Sequence, residues 1–278
     1  MKGRKKIGII AGNGRLPSIL GDILTDDGYE VIGIAVKDLT DSEFEESANN
    51  TYWFRIGELT RMLNLLKKEG VRDVVMTGKI SKTIMYNGAG ILSLGLDLRA
   101  LALVGGLRDR KDDSILSAIA EEIEKEGITV KKITDFIPNM LSEEGVLTSK
   151  KPSKKSLEDI EFGWGIAREI GRLDIGQTII IKDRAVMAVE AIEGTDEAIR
   201  RGGRLSGGGA VVIKLSKPQQ DMRFDVPAVG VRTIEVMNEV KAGVLAVEAY
   251  KTIIIDKEKV LRTADNSGIS IVGVNFEQ

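Results

Sequence analysis

Between residues 5 and 133, short β-branched runs alternate with stretches of helical period, and this alternation restricts the fold more tightly than any other feature. Residues 5–11, 30–36, 52–55, 73–77 and 129–133 read as strands, and 17–24, 58–69 and 113–126 as helices between them. Pro17 suits a first helical turn, because the amide it lacks would be unpaired there. Gly70 and Gly127 close the two later helices. Strands separated by helices of this length form βαβ units, so the first half specifies a parallel, Rossmann-like sheet.

The pattern lapses between 138 and 155, where Ser149-Lys150-Lys151-Pro152-Ser153-Lys154-Lys155 is polar, basic and interrupted by proline, as linkers are. Beyond it a helix is expected over 156–173 and a hairpin of 178–182 with 186–191 around Asp183-Arg184. Thr195 caps an expected helix over 196–201, its oxygen accepting an otherwise unpaired amide. A strand at 210–215, a helix at 233–241, strands at 244–247 and 252–256, a helix at 257–265 and a strand at 269–274 complete the reading. The chain is α/β throughout: an N-terminal Rossmann-like domain over 1–137, a linker over 138–155, and a second α/β domain over 156–278.

With 278 residues the chain is long enough for two ordinary domains. It has no cysteine and no histidine, which excludes disulfides, thiolate nucleophiles, iron–sulfur sites, the Ser–His–Asp triad and most zinc catalysis. Acid–base and metal chemistry must then rest on Asp, Glu, Lys, Tyr or backbone groups, with magnesium the leading metal. Forty basic against 42 acidic residues leave a net charge of −2, and aromatics at 4 % do not interleave with basic runs, so no nucleic-acid partner is indicated. The apolar run Ile7–Ala11 is too short for a signal peptide. The most apolar long stretch, 88–107, carries Asp97 and Arg99 at its middle and reads as a buried helix rather than a membrane span. A cytoplasmic protein is expected.

Ala11-Gly12-Asn13-Gly14-Arg15-Leu16-Pro17 follows the first strand. Glycines there let backbone amides approach a phosphate, or they merely reverse the chain. The dinucleotide fingerprint wants a third glycine where Pro17 stands, which disfavours a standard NAD site. Gly78-Lys79-Ile80-Ser81-Lys82 follows the 73–77 strand, where open α/β sheets line their ligand crevice, and Lys79 offers a phosphate a point charge or lies solvated. In the second half, Pro218 and Pro227 disfavour a helix, so the residues between them are expected to be extended. Asp221, Arg223 and Asp225 would then share one face, opposite Met222 and Phe224. That face offers carboxylates to a divalent cation and a guanidinium to a phosphate oxygen, or it is a salt-bridged edge strand. The helix start at Thr195-Asp196 could hold an anion and Glu190 could join a metal site, or Thr195 and Asp196 simply cap the helix.

Together these segments resemble the LpxI-type UDP-2,3-diacylglucosamine pyrophosphatases. The likeness rests on Ile9-Ile10-Ala11-Gly12-Asn13-Gly14-Arg15-Leu16-Pro17, Ile175-Gly176-Gln177, and Val189-Glu190-Ala191 with Glu193-Gly194-Thr195-Asp196. Lys217-Pro218 with Gln220, Arg223, Asp225-Val226-Pro227 and Ala264-Asp265 continue it in order. Lys82 departs from it, standing where an arginine is more usual. The resemblance implies two α/β domains, the second catalytic, with the lipid substrate in a cleft between them. It implies a cytoplasmic or peripheral inner-membrane enzyme of lipid A biosynthesis, and is compatible with a homodimer. The implied reaction is magnesium-dependent hydrolysis of UDP-2,3-diacylglucosamine to 2,3-diacylglucosamine 1-phosphate (lipid X) and UMP, water attacking the α-phosphorus. The catalytic role falls on Asp225 and, beside it, Asp221. Substrate contacts are expected at Gly12, Asn13, Gly14, Arg15, Leu16, Lys79, Thr195, Asp196, Lys214, Gln220, Arg223 and Thr233. Metal ligands are expected at Asp225, Asp221 and Glu190. An ordinary aspartate, with a pKa of about 3.9, is a poor base near neutrality, so Asp225 is expected to hold metal or orient water. The 88–107 stretch is a candidate wall for the acyl chains. The alternative, suggested by the glycine turn alone, is a nucleotide-sugar or NAD-binding module without hydrolysis.

Overall fold

The computed structural model describes residues 4–79, 95–107 and 112–276. Ile80, Ser81, Lys82 and the 88–94 part of the apolar stretch lie outside them. The chain divides into two units, Met1–Pro138 with Asp221–Asp225, and Asn139–Gln220 with Val226–Gln278.

The first unit is built on five parallel strands in the order β3-β2-β1-β4-β5: β1 (Lys6–Ala11), β2 (Glu30–Val36), β3 (Asn50–Phe54), β4 (Asp73–Thr77) and β5 (Thr129–Lys131). Strands covered on both faces need near-continuous apolar runs, and β2 and β4 have them. Helix α1 (Leu16–Asp26) carries Pro17 in its first turn, and α2 (Leu59–Lys68) buries Leu59, Met62, Leu63 and Leu66, the stripe of one helical face. Helix α3 (Leu98–Gly106) is capped by Asp97, whose carboxylate accepts the Ala100 amide at 2.9 Å and the Thr60 amide at 2.6 Å. Arg99 of α3 pairs with Glu122 and Glu126 at the end of α4 (Asp112–Lys125), and Lys67 of α2 joins Glu126 at 2.7 Å. Those two cations hold the Glu126 carboxyl down at about 2. The two charges that argue against a membrane span are thus a helix cap and a helix tie. The expected buried helix is corrected for the described part: Leu98 is 87 % exposed and only Ala100 of α3 is buried.

The second unit has a six-stranded mixed sheet in the order β6-β13-β11-β9-β7-β8. Its strands are β6 (Gly145–Val146), β7 (Thr178–Lys182), β8 (Ala185–Val189), β9 (Val211–Lys214), β11 (Val244–Glu248) and β13 (Ser270–Val274). A short pair, β10 (Ala228–Val229) with β12 (Ile253–Ile254), lies apart from it. Helix α5 (Lys154–Arg172) packs Ile160, Trp164 and Ala167 on one face against Ile179, Ile181 and Ile213. On the other face, α6 (Thr195–Ser206), α7 (Val231–Glu239) and α8 (Lys257–Asn266) pack against Ile180, Val212, Leu245 and Ile271. Asp183 and Arg184 adopt positive φ in the β7–β8 turn, and the buried Asp159 carboxylate accepts both their amides.

Two expectations are corrected here. Residues 139–155 are not a linker: Ser142 donates to the Thr252 carbonyl at 2.8 Å, β6 pairs antiparallel with β13, and the Ser149 amide donates to Asp265 at 2.8 Å. The segment is polar and largely irregular, yet it is tied to the second unit at Ser142, at the two residues of β6, at Leu147 and at Ser149. Helix α6 also runs past 201 to Ser206, through Gly202 and Gly203, which are buried against Ile180 and Val240.

Candidate active site

At the carboxyl ends of β1 and β4 the two glycine-bearing loops meet. Asn13 and Lys79 exchange backbone hydrogen bonds at 2.9 and 2.8 Å, and the Gly12 amide donates to the Thr77 carbonyl at 2.7 Å. Gly78 has φ +92°, and a Cβ on it would lie 2.7 Å from the Gly12 backbone, so both glycines are required by close approach. Asp41, which sequence reasoning missed, accepts from the Gly14 amide at 3.0 Å and from Asn13 Nδ2 at 3.3 Å. The amide that a phosphate-binding turn would offer its ligand therefore faces a carboxylate. Arg15 is the cap residue of α1 and Leu16 its first residue.

Asp221–Asp225 belongs to the first unit although the C-terminal domain was expected to carry it. Nor is it extended. Its backbone closes a turn in which the Asp225 amide donates to the Asp221 carbonyl at 3.0 Å. The Asp221 side chain accepts the Arg223 amide at 2.9 Å, the aspartate turn that competes with extended structure. The Arg223 guanidinium grips both Asp221 oxygens, through Nε at 3.1 and 3.0 Å and Nη2 at 2.7 Å, and reaches Glu124 through Nη1 at 2.7 Å. Burial pushes the Asp221 carboxyl up, but the Arg223 guanidinium and amide outweigh it and hold it below the usual range. Phe224 is buried in the apolar cluster of the first unit with Met76, Ile123 and Val130. The shared face of Asp221, Arg223 and Asp225 is thereby replaced by a compact turn. Gln220, the last residue of the second unit's segment, accepts the Lys217 amide at 2.8 Å and stabilises the bend before it.

In the second unit strand register brings the remaining predicted residues together. Thr178 of β7 lies opposite Lys214 of β9, and the Glu190 amide donates to the Thr178 carbonyl at 2.8 Å. Residues opposite one another across a sheet share a face, so Glu190, Thr178 and Lys214 form a row toward α6. Thr195, at the start of α6, donates to Glu190 Oε1 at 2.8 Å and accepts from the Lys214 ammonium at 3.1 Å. Glu190 and Lys214 are both more than nine-tenths buried. Glu190 Oε2, Gln177 Oε1 and Thr178 Oγ1 are buried without a hydrogen-bond partner among the described residues. Gly176 permits the row, since a Cβ there would lie 2.0 Å from the Glu190 carbonyl oxygen. Arg232 of α7 reaches Asp196 of α6 at 3.7 Å, tying the first turns of the two helices, and Thr233 is buried in the α7 turn. Gln177 entered the sequence reading only within the Ile175-Gly176-Gln177 segment and with no role, and Thr178 was missed, because nothing in a β-rich run marks which polar residue faces a helix start.

The donor set does not by itself fit a magnesium cage. Both Asp221 oxygens are engaged by Arg223, and among the described residues no three Asp or Glu side chains gather as a metal site would require.

A parallel five-stranded sheet with close-packed glycine loops at its carboxyl edge, and a second, mixed sheet with a buried Lys214 bonded to Thr195 at the start of α6, define a two-unit α/β protein. Residues 6–140 match the model of the LpxI N-terminal domain and residues 143–272 that of the LpxI C-terminal domain. The chain belongs to the LpxI family. It is 31 % identical over 287 residues to the UDP-2,3-diacylglucosamine pyrophosphatase LpxI of Caulobacter vibrioides, covering 99 % of each chain. Among solved structures it superposes loosely on the biotin carboxylase domain of Hydrogenobacter thermophilus 2-oxoglutarate carboxylase, at 12 % identity and a TM-score of 0.28, covering 74 % of this chain and 42 % of that one. The Thermotoga maritima N5-carboxyaminoimidazole ribonucleotide synthetase superposes similarly, at 15 % identity and a TM-score of 0.24, over 69 % of this chain and 43 % of that one. Among the described residues no helix is long and apolar enough to cross a membrane.

Proposed function

We infer that this protein hydrolyses the pyrophosphate of UDP-2,3-diacylglucosamine, releasing 2,3-diacylglucosamine 1-phosphate and UMP in lipid A synthesis. The observation that carries the reading is likeness to the Caulobacter enzyme over 99 % of both chains, which spans both units and every segment of the site.

Water adds to the α-phosphorus, the bridging oxygen leaves with the lipid phosphate, and the water's protons pass to solvent and product. Asp225 is assigned to the attacking water, which it orients by accepting its hydrogen bond. Lys214, buried in the second unit beside the start of α6, supplies a positive charge of the kind a pyrophosphate requires. The buried acceptors Glu190 and Gln177 suit the hydroxyl and N–H donors of a nucleotide sugar. Magnesium is proposed as the counter-ion that arrives on the substrate's phosphates, the usual way this ion reaches such sites. Exposed Leu98 and Leu101 of α3 suit acyl chains, and a lipid substrate favours work at a membrane surface.

The test is product formation from UDP-2,3-diacylglucosamine with magnesium supplied. Asp225→Ala is expected to lose turnover by about 100-fold or more while melting as the parent does. Near-normal turnover would sink the assignment of Asp225, and no UMP from the parent chain would sink the reaction itself.

A further inference from the structure

The glycine turn after β1 carries a negative charge that a phosphate-binding turn does not. Asp41, a few residues beyond β2, accepts the Gly14 amide on Oδ2 at 3.0 Å and the Asn13 side-chain amide on Oδ1 at 3.3 Å, from residues 27 and 28 positions upstream of it. Asn13 Nδ2 also donates to the Leu39 carbonyl at 3.2 Å, and Thr40 donates to the Ala11 carbonyl at 2.5 Å while accepting the Val36 amide at 2.8 Å. The 39–41 loop is thereby fastened to the turn, a placement that follows from β2 lying parallel beside β1. Asp41 and Asn13 are exposed and Gly14 is half-buried. The carboxylate thus stands at the surface, at the carboxyl ends of two adjacent parallel strands, where open α/β sheets take their ligands.

That charge decides which ligand group the turn accepts. A phosphate oxygen on the Gly14 amide would stand within about 4 Å of the Asp41 carboxylate, where like charges repel. A hydroxyl is not repelled. An ionised carboxylate has about four acceptor sites, and the two N–H groups of the turn engage two of them. A vicinal diol presents two O–H donors side by side, a match for two carboxylate oxygens. UDP-2,3-diacylglucosamine has one such diol. Acylation blocks positions 2 and 3 of its sugar, and the hydroxyls left there sit on carbons 4 and 6, which are not neighbours; the 2′ and 3′ hydroxyls of the ribose are. Strand, glycine turn, helix, strand and then an acid is also the order in which nucleotide-binding α/β sheets present a carboxylate to a ribose hydroxyl. We infer that Asp41 binds the 2′,3′-diol of the uridine ribose and makes the site select ribonucleotide over deoxyribonucleotide. This rests on UDP-2,3-diacylglucosamine being the substrate.

The experiment measures binding of UMP and of 2′-deoxyuridine 5′-monophosphate to the full chain by titration calorimetry. Beside it, kcat/KM is compared for UDP-2,3-diacylglucosamine and its 2′-deoxyuridine analogue, with magnesium supplied. The parent is expected to favour the ribose form about tenfold in both, the worth of one hydrogen bond to a charged acceptor. Asp41→Ala is expected to bring the two forms within about twofold of each other. Asp41→Asn keeps one acceptor oxygen, enough for the Gly14 amide, and is expected to lose the preference likewise with Tm within about 2 °C of the parent. A carboxylate that only supports the turn would weaken both ligands alike and leave their ratio unchanged, so a parental ratio in Asp41→Ala overturns the inference. Equal binding of the two nucleotides by the parent, or binding of neither, overturns it too. A parent that binds UMP but does not hydrolyse the diacyl nucleotide sugar overturns the reading beneath, while the two nucleotides still decide the role of Asp41.

Discussion

Thr195 is the residue on which the second unit's polar row depends. Its hydroxyl spends its proton on Glu190 and offers its lone pair to Lys214, both more than nine-tenths buried. Thr195→Val keeps the shape and removes both bonds, which for buried charged partners costs about 1–3 kcal/mol. A melting temperature lower by about 3–10 °C is expected, with Thr195→Ser close to the parent. Scanning calorimetry checks it, and a Val variant as stable as the parent refutes the bridge. Sequence marks Thr195 as a cap and Glu190 as a nearby acid, five positions away along the chain. The cap is corrected by the structure, where Gly194 is the cap residue, without a side-chain bond, and Thr195 is the first residue of α6. It does not join either to Lys214, because that contact is made by β9 lying against β7 in a register that no local pattern specifies. The same holds for Asp41, which meets Gly14 only after β2 pairs with β1.

At the scale of elements, periodicity and glycine punctuation recover the five strands and helices α1, α2 and α4 of the first unit to within a few residues, but not α3, which buries only Ala100. They fail where a glycine does something other than end a helix. Gly202 and Gly203 suggest a stop after 201, yet α6 continues through them. Added Cβ atoms would lie 2.6 Å from Ile180 Cβ and 2.2 Å from Val240 Cγ2, so the glycines are what lets the helix sit against the sheet and its neighbour. The turn at 221–225 fails similarly: two prolines imply extension, but an aspartate can fold its own backbone. Gly202→Ala sets two effects against each other. Alanine favours an exposed helix by about 1 kcal/mol, while forcing a methyl onto the branched Ile180 costs about 1–3 kcal/mol. The close contact is with Cβ, which cannot move without the strand, so overpacking wins. A lower urea midpoint is expected for Gly202→Ala, and a raised one would show that the helix can lift at no cost.

For the whole molecule, the two family-model domains meet at 140–143, but the first folded unit is not contained in the first 140 residues. Phe224 lies in its core, and that ring arrives from the second half of the chain. A fragment of residues 1–140 keeps the whole five-stranded sheet and loses this one buried side chain, as if Phe were cut to nothing at a core site. Such deletions cost about 3–5 kcal/mol, against a total stability of about 5–15 kcal/mol for an ordinary domain. The fragment is therefore expected to fold marginally, melting well below the full chain. A synthetic peptide of residues 218–227 supplies the ring together with Arg223 and Asp221, the partners that shape the turn. Ligands that bind only the folded state raise its stability by mass action, so the peptide is expected to raise the fragment's melting temperature in a concentration-dependent way. The same peptide with Phe224→Ala is expected to have no effect. A fragment as stable as the intact chain, indifferent to the peptide, would mean that the ring fills no space the core needs.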